Sequence, residues 1–189
     1  MADFIRHTHD TVSDAGQAAF QKAEQTWGMI PNLIRFQAEA PAVADAYMTM
    51  HGIFSKQTSF SPTEQQVVLM TSNFENDCHY CMAAHSMIAE KNGMPEDVLR
   101  ALREATPIAD PKLEALREFS RKVVVNRGWV EEADISDFLD AGWTKQQVLE
   151  VILGVSFKVL SNYTNHVVET PVDKPFEGHA WTKPVDAAV

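Results

Sequence analysis

Glycines and prolines stand at the ends of helix-periodic segments along this chain, and little between them alternates like a strand. A chain cut into short amphipathic helices must bury each apolar stripe against another helix. This punctuation therefore restricts the fold to an all-α bundle. Ser13 or Asp14 caps a first helix to about Trp27, and Gly28 to Pro31 reads as a turn. Short helices are expected near Asn32–Glu39 and from Pro41 to about Lys56. Ser61-Pro62-Thr63-Glu64 is a strong start signal, with Ser61 as N-cap, Pro62 in the first helical position and Glu64 closing a capping box. That helix should reach about Phe74.

After a polar break, Glu75-Asn76-Asp77, a helix is expected from about Cys78 to Lys91, stopped by Asn92-Gly93. Pro95 opens the next, Pro111 a longer one to about Asn126, and Glu131 to Asp140 a short one. Thr144, with Gln147 three residues on, caps a last helix to about Glu169. The expectation is one compact helical domain over residues 1–169 and an extended tail over 170–189. Phe176 and Trp181 should dock that tail on this subunit or a neighbour. A weak repeat divides the domain. A shift of 81 residues lays Thr63, Gln65, Gln66 and Val67 on Thr144, Gln146, Gln147 and Val148, and His85 on His166. The motif-bearing half is then about 41–93 and the related half about 111–169. In the second half, Val159 and Asn162 replace Cys78 and Cys81.

Composition matters chiefly for what it excludes. With a net charge of −10 over 189 residues and no basic block, the chain is not expected to bind nucleic acid or an anionic membrane. The most apolar stretch, Val148 to Leu160, is broken by Glu150 and Lys158 and is too short to cross a bilayer. No leader is visible, so a cytoplasmic, reducing setting is expected. There, a close cysteine pair reads as catalytic or metal-binding rather than structural.

The two cysteines lie in Cys78-His79-Tyr80-Cys81-Met82-Ala83-Ala84-His85. At about 100° per residue, Cys78, Cys81 and His85 fall within an arc of roughly 60°, and His79 points away. Residues three apart in a helix have α-carbons roughly 5 Å apart, inside the range a disulfide accepts. Asn76 and Asp77 read as caps, which puts Cys78 in the first turn, where the helix dipole favours a thiolate. Three ligands on one helical face converge poorly on tetrahedral zinc, and Met82 stands where haem attachment needs a histidine. A metal site with a fourth ligand from elsewhere and an inert core pair remain the competing readings; neither a metal nor a cofactor is expected.

The stretch Ser61-Pro62-Thr63-Glu64-Gln65-Gln66-Val67, followed by the cysteine–histidine block, resembles the signature of the carboxymuconolactone decarboxylase superfamily in its alkylhydroperoxidase D-like branch. Ala141-Gly142-Trp143-Thr144 and Ser161-Asn162-Tyr163-Thr164-Asn165-His166 are similar to the C-terminal half of longer members, so the resemblance spans roughly Ala42 to Pro171. It implies repeated helical units assembled into a homo-oligomer, a trimer or hexamer. It also implies thiol peroxidase chemistry on a hydroperoxide, with electrons from an external dithiol. In that pattern Cys81 attacks the peroxide, Cys78 closes the disulfide and His85 relays protons, whereas the dipole argument favours Cys78 as the more acidic thiol.

The family's relay commonly has a glutamate twelve residues before the first cysteine, where this chain has Gln66. Glutamine orients a water or an imidazole but takes up no proton as a carboxylate does. Gln66 is expected as a buried orienting group or a surface-edge residue. Glu64 is otherwise a cap and Glu75 a loop residue, though either could supply the missing carboxylate. Two other functions stay open: lactone decarboxylation without the thiols, and a non-catalytic redox-sensing oligomer. His7 and His9 are expected in solvent, Tyr47 to Met50 in the core, and Tyr163 with His166 as a buried hydrogen-bonded pair.

Overall fold

The computed structural model describes residues 3–185. Among them are α1 (Asp14–Trp27), α2 (Asn32–Gln37), α3 (Pro41–Gln57), α4 (Pro62–Glu75), α5 (His79–Lys91), α6 (Glu96–Glu104), α7 (Pro111–Val125), α8 (Glu132–Asp140) and α9 (Lys145–Val168). The described residues contain no strand, as the all-α reading expects. The anticipated caps are made. The Ser61 hydroxyl accepts from the Glu64 amide, and the Glu64 carboxylate accepts from the Ser61 amide at 2.6 Å. Thr144 and Gln147 do the same for α9. Each pair satisfies two amides that a helix start otherwise leaves open.

Helix α4 is the central element, packed against α5, α7 and α9. Every residue from Gln66 to Phe74 is buried. A helix can enter a core this completely only if its polar groups find partners. Thr71 donates to the Val67 carbonyl at 2.7 Å and Ser72 to the Val68 carbonyl at 2.9 Å. Helix α9 lies close against α3 and α4 because Gly154 has no side chain. A β-carbon there would meet Phe54 and Val68 at 2.7 Å. Below it the fully buried Phe157 packs on Tyr47, with ring centroids 4.9 Å apart. Burial of such a ring stabilises the fold by about 1.5–3 kcal/mol.

Four expectations are corrected. The tail is not simply extended: Lys174–His179 form a 3-10 helix. It docks on its own chain, with Phe176 edge-on to Tyr80, Trp181 against Phe74 and the Trp181 indole donating to the Arg103 carbonyl at 2.9 Å. His7 is buried rather than solvated, and its Nε2 lies 2.7 Å from the Glu39 carboxylate. Tyr163 and His166 are not a buried pair. They stack on the exposed face of α9, where the alternation of 3.6 residues per turn turns them away from Asn162 and Asn165. Finally, α9 runs unbroken through Phe157-Lys158, the positions that the 81-residue shift aligns with the corner at Asn76-Asp77. No helix among the described residues is long and apolar enough to cross a membrane.

Candidate active site

The corner between α4 and α5 sets the positions of the cysteines. Asp77 adopts a left-handed conformation with φ 52°. The Asp77 amide donates to the Phe74 carbonyl at 3.0 Å and the Cys78 amide to the Asn73 carbonyl at 2.9 Å. This pair of bonds is a Schellman motif, which satisfies the last carbonyls of α4. Cys78 is therefore both the end of that motif and the N-cap of α5, and α5 begins at His79. The expected start at Cys78 is off by one residue because Asn76 and Asp77 close α4 instead of capping α5. Both cysteines are free and buried, with relative exposures of 1% and 2%.

From α9, Asn165 reaches across. Its amide nitrogen donates to the Cys81 sulfur at 3.1 Å and lies 3.7 Å from the Cys78 sulfur. Ser161 stands 3.7 Å from the Cys81 sulfur. Asn162 ties α9 to the corner, donating to Asn73 and accepting from Asn76, each at 3.0 Å. The thiol pair is thus held by an amide ladder between two helices.

Gln66 is buried, which decides between its two expected roles. Its carbonyl oxygen accepts from His85 Nδ1 at 2.8 Å, so Nδ1 carries the imidazole proton and Nε2 is an acceptor. The partner at Nε2 is the Lys158 ammonium, 3.0 Å away. Among the described residues His85 makes no hydrogen bond to either sulfur, and neither Glu64 nor Glu75 bonds to His85. Glu64 is a cap, and Glu75 is the last residue of α4, with its carboxyl pushed up by burial.

Lys158 is the functional residue that sequence reasoning missed. It has 0% exposure and, among the described residues, no carboxylate within ion-pair distance. Its signal was visible as a lone charge in the middle of the apolar stretch Val148 to Leu160, where a solvated residue has no reason to be. Asn165 and Ser161 carried no signal beyond their helical spacing from it.

The electrostatics follow from this arrangement. The hydrogen bond that Cys78 gives to Cys81 holds the Cys78 thiol well above its ordinary pKa, and burial adds to that. Burial alone pushes the Cys81 thiol up. The hydrogen bond from Cys78, the Lys158 charge and Ser161 outweigh it, and Cys81 ends below its ordinary value. The dipole argument for Cys78 therefore fails: an N-cap side chain that gives its proton to a neighbour is no thiolate. Burial, Lys158 and His51 hold His85 well below its usual range, so it is a neutral imidazole. Burial, Lys158 and Lys56 bring His51 down to about 4.

Two cavities flank the site. One, of about 520 Å³, is bordered by His85, His51, Tyr47 and Tyr80 among apolar residues that include Trp27 and Phe176. The other, of about 540 Å³, is a groove lined by Cys78, His79, Asn165 and Glu169.

Two free, buried cysteines at the start of α5, with the Cys81 thiol held below its ordinary pKa, form a candidate thiol site in an all-helical fold. Residues 41–122 match the model of the Carboxymuconolactone decarboxylase family. The fold is of the alkylhydroperoxidase D-like type. An uncharacterized peroxidase-related protein from Ralstonia eutropha JMP134, described as an alkylhydroperoxidase AhpD core, superposes with a TM-score of 0.80 at 19% identity, over 92% of this chain and 93% of that one. A peroxidase-related protein from Silicibacter sp. TM1040 gives 0.77 at 18% identity, over 94% and 93%. The debrominase Bmp8 gives 0.78 at 15% identity, over 93% and 95%; a structure of it with 2,3,4-tribromopyrrole is equally similar. At these identities the likeness is one of fold. No curated protein sequence matches the chain.

Proposed function

We propose that this protein is a thiol-dependent oxidoreductase that reduces hydroperoxides by cycling Cys78 and Cys81 between dithiol and disulfide. The observation that carries the reading is the Cys81 sulfur, buried yet accepting from the Asn165 amide at 3.1 Å, its pKa held below the ordinary thiol value by the Cys78 thiol and the Lys158 charge. The Cys81 thiolate attacks one peroxide oxygen, the O–O bond breaks, and the other oxygen leaves as alkoxide and is protonated. The sulfenic acid on Cys81 condenses with the Cys78 thiol, forming the disulfide and releasing water. An external dithiol then reduces the disulfide through a mixed disulfide at the more accessible sulfur, and both of its hydrogens return to the cysteines.

The two cavities divide this work. The apolar cavity at His85 suits the organic part of a hydroperoxide, and the groove that Cys78 lines suits the dithiol. Gln66 fixes the tautomer of His85, and His85 in turn fixes Lys158. The protein works as a homo-oligomer, a trimer or hexamer, in a reducing compartment that keeps its thiols free.

The test is a coupled hydroperoxide assay on single variants. Cys81→Ser is expected to lose turnover. Cys78→Ser is expected to stop after one turnover, with a sulfenic acid on Cys81 that dimedone traps. Unchanged turnover in both variants sinks the reading. The aromatic wall of the apolar cavity favours one second reading, reductive removal of halogen from an aromatic ring by the same thiols, with halide release from 2,3,4-tribromopyrrole as its assay. Lactone decarboxylation leaves the ionised sulfur without a task, and a pure sensor leaves the cavity without one.

A further inference from the structure

The buried charge of the site is inverted relative to the carboxylate relay that the resemblance implies. Gln66 contributes no charge, and the cation Lys158 takes its place on the other side of His85. Lys158 lies outside the residues that match the family, which end at residue 122. A fully buried ammonium without a carboxylate is costly unless another anion faces it. Its hydrogen-bond partner is His85, and its charge also reaches His51 on α3, Cys81 on α5 and Cys78 at the corner. Both rings are neutral, and the Tyr47 hydroxyl is held in its protonated form by burial and then by the two cysteines. Helices α2 and α4 bury only uncharged polar side chains, and on α7 the buried Arg117 is paired with Glu114 and Glu118. Tyr80 is turned to Asp173, 2.6 Å away. Among the described residues, the group left to balance the ammonium is the Cys81 sulfur.

We propose that Lys158 is both the charge partner of Cys81 and the acid that protonates the leaving oxygen, so that the peroxide step runs without drawing a proton from water. This rests on the hydroperoxide reading above. The balance closes. The resting pair is thiolate and ammonium. The thiolate attacks, the O–O bond breaks, and Lys158 gives its proton to the alkoxide, leaving a neutral amine. Condensation of the sulfenic acid with Cys78 releases water and needs no further proton. Reduction by the external dithiol returns a thiol at Cys81, which passes its proton to the amine and restores the pair. His85, with Nδ1 bound to Gln66, presents only an acceptor to Lys158 and so positions it.

The first experiment is pH-dependent alkylation of Cys81 in the Cys78→Ala background, with and without Lys158→Met. It reads the ion pair whether or not the protein consumes peroxide. Methionine fills similar volume without charge, the Cys81 sulfur left without a partner takes up a proton, and a melt checks that the variant is folded. The alkylation midpoint is expected to rise by at least about 1 pH unit, the size of an opposite charge's effect at close range. An unchanged midpoint overturns the proposal.

The second compares single-turnover oxidation of Cys81 by a hydroperoxide in the wild type and in Lys158→Met at a pH above both alkylation midpoints, where the thiolate is complete in each. A rate at least about tenfold lower in Lys158→Met is expected, since a positioned general acid contributes a factor of about 10²–10⁴. Equal rates at equal thiolate overturn the acid role. If the wild type consumes no hydroperoxide while the alkylation shift is found, the function fails and the charge pairing stands.

Discussion

Gln66 and Lys158 hold the two nitrogens of one imidazole. A neutral acceptor sits on Nδ1 and a cation on Nε2, and together they leave His85 uncharged. Restoring a carboxylate is therefore not expected to improve the site. Gln66→Glu places an anion beside His85 that competes with Cys81 for the Lys158 charge. The alkylation midpoint of Cys81 should rise by about 1 pH unit. A fall would mean that the carboxylate serves the relay. Gln66 and His85 were both legible in the sequence as site residues, and their direct bond was not, because nineteen positions and a helix corner separate them. Lys158 was legible only as an anomaly. A charge in an apolar run announces that something faces it, and the sequence does not say what.

At the scale of elements, the site depends on how closely α9 approaches α3 and α4. Gly154 permits that approach. Gly154→Ala puts a β-carbon 2.7 Å from the Phe54 ring and the Val68 side chain, both fully buried. Overpacking of this kind costs about 1–3 kcal/mol. A lower melting temperature is expected together with reduced peroxide turnover, because a shifted α9 carries Lys158, Ser161 and Asn165 away from the thiols. A variant that melts as the wild type does would show that α9 has room to move. The helices and their caps were readable because capping boxes, prolines and end glycines act over a few residues. The corner at Asp77 was read in the wrong register. A left-handed aspartate can close one helix as well as begin the next, and only the bonds to Phe74 and Asn73 decide between them.

At the scale of the molecule, the buried His85 and the half-buried His51, both neutral, make stability depend on pH. His51 is brought down to about 4 and His85 is also lowered. A base depressed in the folded state takes up its proton first in the unfolded chain. Its contribution is therefore complete above the ordinary histidine value and is lost as pH falls from there toward 4. The urea midpoint of the wild type should fall over that interval. The fall should be smaller in His51→Phe, by on the order of 1–2 kcal/mol once residual solvent contact is allowed for. Equal slopes in the two proteins would show that the His51 ring is protonated as easily folded as unfolded. The tail belongs to the same scale. Trp181 and Phe176 announced that it docks, and the fold supplied the partner surfaces on α4, α5 and α6.

The sequence by itself determined the helices, most of their ends, and the placement of Cys81 and His85 one turn apart on α5, because each follows from chemistry within a turn or two of the chain. Only the tertiary structure decided which thiol is the more acidic. That choice rests on Lys158, Ser161 and Asn165, about eighty residues further along, brought to Cys81 by the close packing of α9. Charge acts through space, and in a buried site the nearest charge, not the nearest residue in sequence, sets the acidity of a thiol.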